Sequence, residues 1–119
     1  MTIKITIPMK LPSCANLREH WSKRAKRARE HRQEAGVMVM ACALAQGVGL
    51  PLKDDQTATI TLTRIAPRPL DSDNVASAFK AFRDGVADAL GVDDGSVRLL
   101  WRYGQEKGSA AVRVEIEVR

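Results

Sequence analysis

The sequence predicts an α+β fold: one small domain, elements in the order β-α-β-α-β-β, with helices packed on a mixed sheet. Three observations predict it. Near one end Ile3, Ile5 and Ile7 alternate with Thr2, Lys4 and Thr6. Near the other, Val112, Val114, Ile116 and Val118 alternate with Arg113, Glu115, Glu117 and Arg119. A period of two marks a half-buried strand. Between them, Val75, Ala78, Phe79, Phe82, Val86, Ala89 and Leu90 recur at i, i+3, i+4, i+7 and form one apolar helical stripe. Finally, 119 residues with 45% hydrophobic content can build one core but not two, so residues 1–119 are read as a single domain.

The first strand spans residues 2–8 and is closed by Pro8 and the Pro12-Ser13 turn signal. Asn16 suits a helix N-cap, and Glu19 completes an approximate capping box. From Leu17 to about Gln46 no strong breaker occurs, although Gly36 is a poor helix former in its middle. The first half of this helix is basic, and the second, Ala35 to Ala45, is almost wholly apolar and is expected to pack on the sheet. Gly47, Gly49 and Pro51 mark a loop. Thr57 to Ile65 alternates threonines with Ala58, Ile60, Leu62 and Arg64, a strand with one polar face. Pro67 and Pro69 impose an extended lead into a helix over 74–90, with Asp73 as N-cap and Gly91 as C′ residue. Val97 to Tyr103 and Ala111 to Val118 follow as strands, and the short connection through Lys107-Gly108 suggests an antiparallel hairpin.

A net charge of +5 favours polyanionic partners. Aromatic residues are too few, Trp21, Trp101, Tyr103, Phe79 and Phe82, for a base-stacking platform. Trp21 is expected to pack rather than stack. Cys14 and Cys42 lack CxxC spacing, and His20 and His31 lack partners at metal-binding spacing, so zinc is not expected. Reduced structural thiols, no signal peptide and no membrane-length apolar run point to a cytoplasmic protein with no membrane partner and no small-molecule cofactor.

Four of the fourteen acidic residues, Asp71, Asp73, Asp93 and Asp94, flank the second helix. Crowded carboxylates repel unless a cation compensates, which suggests a divalent-metal site. Mg²⁺ takes hard oxygen ligands, and two or three carboxylates suffice when substrate phosphate supplies the rest. Turn and cap chemistry accounts for the same aspartates equally well, and spacing alone leaves both readings open. An EF-hand is excluded, because Ala76 and Phe82 occupy its glycine and bidentate glutamate positions. Asp94 meets Asp71 and Asp73 only through tertiary folding, and a metal site requires their carboxylates to converge within roughly 4–6 Å.

Asp71-Ser72-Asp73-Asn74, a helix carrying Lys80 and Asp84, then Ala89-Leu90-Gly91-Val92-Asp93-Asp94 together resemble the RusA family of Holliday-junction resolvases. That family opens a helix with Asp-x-Asp-Asn, carries on it a lysine and an Asp-Ala-Leu segment, and then has paired aspartates. Leu11-Pro12-Ser13-Cys14-Ala15-Asn16 resembles its Pro-Ser-x-Asn loop, and the match follows most of the chain in order. The resemblance implies a Mg²⁺-dependent endodeoxyribonuclease (with Mn²⁺ able to substitute) that resolves four-way junctions or related branched DNA in recombination and repair. It implies that Asp71, Asp73 and Asp94 are catalytic metal ligands, with Asp93 a weaker candidate, that the protein is a homodimer, and that its genetic setting is often a phage or prophage. In the best-known members the catalytic lysine lies four residues after the second aspartate, where this chain has Ser77. Lys80 lies seven after Asp73, one turn further on the same face, and is the candidate to neutralise the phosphate.

Beside such a centre, the basic run of the first helix becomes a phosphate-binding face, with Lys23, Arg24, Lys26 and Arg27 as DNA contacts. Arg68 and Lys80 lie nearest the scissile bond. Two competing expectations stand beside this one: a non-catalytic basic nucleic-acid-binding module whose aspartates are caps and turns, and a nuclease for flaps or other branched forms.

Overall fold

The computed structural model describes residues 1–12 and 20–119. In order the elements are β1 (Thr2–Ile7), α1 (Trp21–Ala45), β2 (Ala58–Ala66), α2 (Ser72–Ala78), α3 (Lys80–Leu90), β3 (Leu99–Lys107) and β4 (Ala111–Val118). The class is α+β, as the sequence predicts, with a mixed four-stranded sheet ordered β1-β4-β2-β3. The two alternating strands are direct neighbours: Ile3 faces Ile116, Ile5 faces Val114 and Ile7 faces Val112 in an antiparallel ladder. Register is set because the apolar residues of both must share one buried face.

The expected hairpin between the last two strands is not formed. β3 runs parallel to β2, and β4 lies antiparallel on β2's other edge, so β2 separates them. Residues 108–110 must therefore step over the end of β2, about two strand spacings of ~4.8 Å. A short extended segment covers that distance, so a short connection does not prove pairing. Parallel pairing of β2 and β3 in turn requires the crossover that α2 and α3 supply.

The helix predicted over 74–90 is two helices meeting at Phe79. Its apolar periodicity carries through the interruption, so a period count does not register it. The Phe79 ring is fully buried, stacked on Tyr103 at 6.0 Å and edge-on to Phe82 at 6.1 Å, which anchors this junction in the core. Asp71, not Asp73, is the N-cap residue: it is extended (φ −63°, ψ 150°), and its carbonyl accepts from Val75 N–H. At the other end Gly91 ends α3 in the left-handed region, as expected.

The apolar half of α1 packs mainly on α3 rather than on the sheet, with a smaller contact to β1. The two helices cross at Gly36 and Gly85. A Cβ on Gly85 would overlap the Arg32 carbonyl and stand 2.9 Å from Ala35 Cβ, so the backbones approach only because it has none. Ala35, Val39 and Ala43 are buried on this seam, whereas Val37, Met40 and Leu44 face outward. Trp21, expected to pack, is 74% exposed at the start of α1, where His20 caps the helix through Nδ1 and Ser22 N–H. The Asn16 cap, Glu19, Cys14 and the Ser13–Asn16 loop lie outside the described residues.

Candidate active site

Each side of the candidate site is fixed by a different device. Arg64, on the inward face of β2 and almost fully buried, donates to the carbonyls of Leu11 and Arg68 at 2.9 and 2.8 Å. A buried guanidinium needs such acceptors, and satisfying them pins the proline-rich lead-in to the sheet. Next along, Leu70 N–H donates to Gln105 Oε1 and Gln105 Nε2 donates to the Leu70 carbonyl, both at 2.7 Å. This side chain pairs with backbone as a strand would, tethering the entry to α2 against β3. Asp71 and Asp73 are exposed at that entry, and Asp73 Oδ1 accepts from Asn74 N–H.

The turn after α3 divides the two readings of its paired aspartates. Asp93 does turn chemistry: its Oδ2 accepts from Gly95 N–H, and its carbonyl from Ser96 N–H. Asp94 does not. Its Oδ2 accepts from Lys80 Nζ at 3.3 Å and Arg83 Nε at 3.1 Å, and Lys80 also donates to Asp84 Oδ1 at 2.9 Å. Lys80 thus joins Asp84 on α3 to the Asp94 turn. Partial burial opposes ionisation of Asp94, but Lys80 and then Arg83 outweigh it and hold the carboxyl below the usual carboxylate range. The hydrogen bond that Lys80 donates to Asp84, with lesser help from Asp94, holds its ammonium above the usual value against partial desolvation.

Arg83 is the residue of this cluster that sequence reasoning missed. Besides Asp94 Oδ2, it donates to the Asp94 carbonyl at 3.0 Å and to Tyr103 Oη at 2.9 Å, and its guanidinium lies 4.6 Å from the Trp101 ring centroid. Trp101 Nε1 donates to the same Asp94 carbonyl at 2.8 Å. Its only sequence signal is its place one turn after Phe79, next to the buried stripe, where an arginine needs partners.

No family model matches the chain. It is similar to a protein of Xylella fastidiosa described only as uncharacterized, 39% identical over 82 residues, which are 66% of this chain and 51% of that protein. The chain thus spans about half the length of that relative.

Among the described residues, no three or more His, Cys, Asp or Glu side chains gather into a group able to hold a metal ion. The Asp94 carboxylate is turned onto Lys80 and Arg83, whereas Asp71 and Asp73 are exposed at the entry to α2. The donor chemistry itself suits Mg²⁺: hard carboxylate oxygens stand exposed on Asp71 and Asp73, and this ion needs only one or two of them plus phosphate oxygens.

The basic residues of α1 divide between two faces. Arg24 and Arg27 line a pocket with His31, Ser77, Lys80 and Asp84. Lys26 points to a second groove, with Arg29, Arg32 and Asp88, and pairs with Glu30 at 3.9 Å. Lys23 is exposed, and Arg68 is exposed beside Lys10 and Arg64. No helix among the described residues is long and apolar enough to cross a membrane.

Proposed function

We propose that the protein is a divalent-metal-dependent endodeoxyribonuclease acting in the cytoplasm on four-way junctions or related branched DNA. The observation that carries this reading is Lys80, whose ammonium ties Asp84 on α3 to Asp94 in the turn that follows it. The Asp-x-Asp-Asn motif at the start of α2 and the basic face of α1 support it. Asp71, Asp73 and Asp94 would hold the ion, Mg²⁺ or Mn²⁺, which when bound supplies an activated water and neutralises charge at phosphorus. Lys80 carries a fixed positive charge to the phosphate oxygens as charge builds there. Arg83 keeps Asp94 from swinging away, and Arg24, Arg27 and Arg68 hold the flanking backbone. A four-way junction offers two equivalent strands, so two sites related by a two-fold axis suit it. The outward stripe of Val37, Met40 and Leu44 on α1 supports a second copy as the dimer partner.

One observation favours a second reading, a basic nucleic-acid-binding module without catalysis: the Asp94 carboxylate is already neutralised by two cations. Mg²⁺-dependent cleavage of a synthetic four-way junction beside linear duplex, with wild type and Asp73→Asn, separates them. Cleavage of the junction by wild type and its loss in the variant uphold the nuclease. Salt-sensitive binding with no cleavage supports the module, and equal cleavage by Asp73→Asn removes Asp73 from the mechanism. Flaps in the same panel test branch selectivity.

A further inference from the structure

We infer that the pocket at the far end of β2, lined by Lys10, Arg64 and Arg68, binds one phosphodiester group of a nucleic-acid backbone. The source of that phosphate rests on the DNA-directed reading above, whereas the preference for an anion rests on the pocket alone.

Strand order builds this pocket. Ile7 lies opposite Val112 and Val112 opposite Arg64, so the chain leaving β1 emerges beside the end of β2. The connection from β3 to β4 steps over that end, where Gly108 N–H donates to the Ala66 carbonyl at 3.1 Å and Ala110 reaches the cavity. The segment after β1, β2 itself and the lead-in to α2 each contribute one permanent cation, and no carboxylate lines the cavity. Glu106, set opposite Ile65 on β3, is bound through both oxygens to Arg113 at 2.6 and 2.8 Å. Among the described residues, Lys10, Arg64 and Arg68 form no ion pair with any carboxylate.

Arg64 is the feature that asks for a ligand. It is only 9% exposed, and the carbonyls of Leu11 and Arg68 accept from its Nε and Nη1. Carbonyls satisfy donors but carry no net charge, so the buried guanidinium keeps an uncompensated one. Its Nη2 donates to no acceptor among the described residues. A bound phosphodiester supplies both the counter-charge and the acceptor oxygens, and the planar arginine fork suits it. Lys10 and Arg68, both exposed, can close on the same group. The cavity of about 430 Å³ lies within the ~300–1,000 Å³ of small-ligand sites, so it has room for an attached sugar beside the apolar walls of Leu11, Pro67 and Ala110. Arg68 precedes Asp71 by three residues, at most about 11 Å of chain, so a strand held here passes near the start of α2.

The test is a titration of the intact protein with dimethyl phosphate, ionic strength held constant with sodium chloride, and then with four-way-junction DNA, following backbone amides by NMR. Both ligands should shift Leu11, Ala66 and Arg68 saturably, and dimethyl phosphate should leave Gly49, in the loop after α1, in place. Arg64→Met would leave two carbonyls without their donor, so the variant is Lys10→Glu, at an exposed position. It should weaken dimethyl phosphate binding at least about tenfold. Lys53→Glu, the same charge change at an exposed position in the loop before β2, should weaken it less than about twofold. No saturable shift at these amides, or equal weakening by the two variants, overturns the pocket. A response to dimethyl phosphate but not to DNA overturns the nucleic-acid assignment. Junction cleavage without the amide response sinks the pocket and leaves the nuclease, whereas the response in a protein that cuts nothing does the reverse.

Discussion

At Asp94 one carboxylate oxygen accepts from both Lys80 and Arg83, and the backbone carbonyl of the same residue accepts from Arg83 and Trp101. Arg83 therefore fixes the residue at two points. Replacing it with Met keeps much of the stem's packing but removes the donors. Stability should fall by about 1–3 kcal/mol in urea denaturation, and junction cleavage should fall further than it does in Arg102→Met, an exposed arginine on β3. The depressed titration of Asp94 has a consequence of definite sign. Its stabilisation is present above the unfolded carboxylate value of about 3.9 and is lost as pH falls through the lower folded value. Asp94→Asn should therefore show a flatter decline of stability with acid than wild type in that window. At this scale the sequence was half informative. Lys80 and Asp84 lie four residues apart on a predicted helix, the spacing of the ion pair they form, but nothing in a linear sequence states that Arg83 meets Tyr103, since that contact needs β3 laid beside α3. Trp21 misled for a related reason: an aromatic ring announces apolar area, not a neighbour to bury it.

Between elements, the crossing of α1 and α3 is the tightest constraint in the fold. Gly85→Ala must push the Arg32 carbonyl away or separate the helices, and should cost at least about 2–3 kcal/mol by denaturant unfolding despite alanine's better helix propensity. Gly36→Ala meets Gly85 O at 3.3 Å, a contact that a small shift relieves, so the propensity gain of up to ~1 kcal/mol should offset most of its cost. Equal losses in both variants would contradict this account. Periodicity found β1, β2, β4 and the apolar stripe of α2 and α3, because a buried face demands it, while α1 was legible from its lack of a breaker. It could not find the junction at Phe79, where α2 and α3 share one apolar phase. Nor could it find the true partner of the apolar half of α1, since a helix seam and a sheet face ask for the same side chains.

Across the whole molecule, the strand order decides what lies near what. The parallel β2–β3 pair, with its helical crossover, brings the α2 entry beside Gln105 and the α3 exit turn beside Trp101. Neither turn chemistry nor connection length discriminates between this arrangement and the predicted hairpin. Charge distribution also acts at this scale. If the protein binds DNA through the Arg24 and Arg27 face, the double glutamine variant should flatten the plot of log affinity against log salt by about 1, the loss of one neutralised phosphate. Lys26→Gln, on the other face, should leave the slope unchanged. The pairing of β1 with β4 carries a different consequence, one concerning synthesis on the ribosome. β1, made before β2 and β3, finds its ladder partner in β4, Ile3 opposite Ile116. At about 5–20 residues per second, Ile3, Ile5 and Ile7 wait for several seconds with no strand to cover them. Chaperone occupancy of the nascent chain should therefore persist until β4 clears the exit tunnel and then drop in one step.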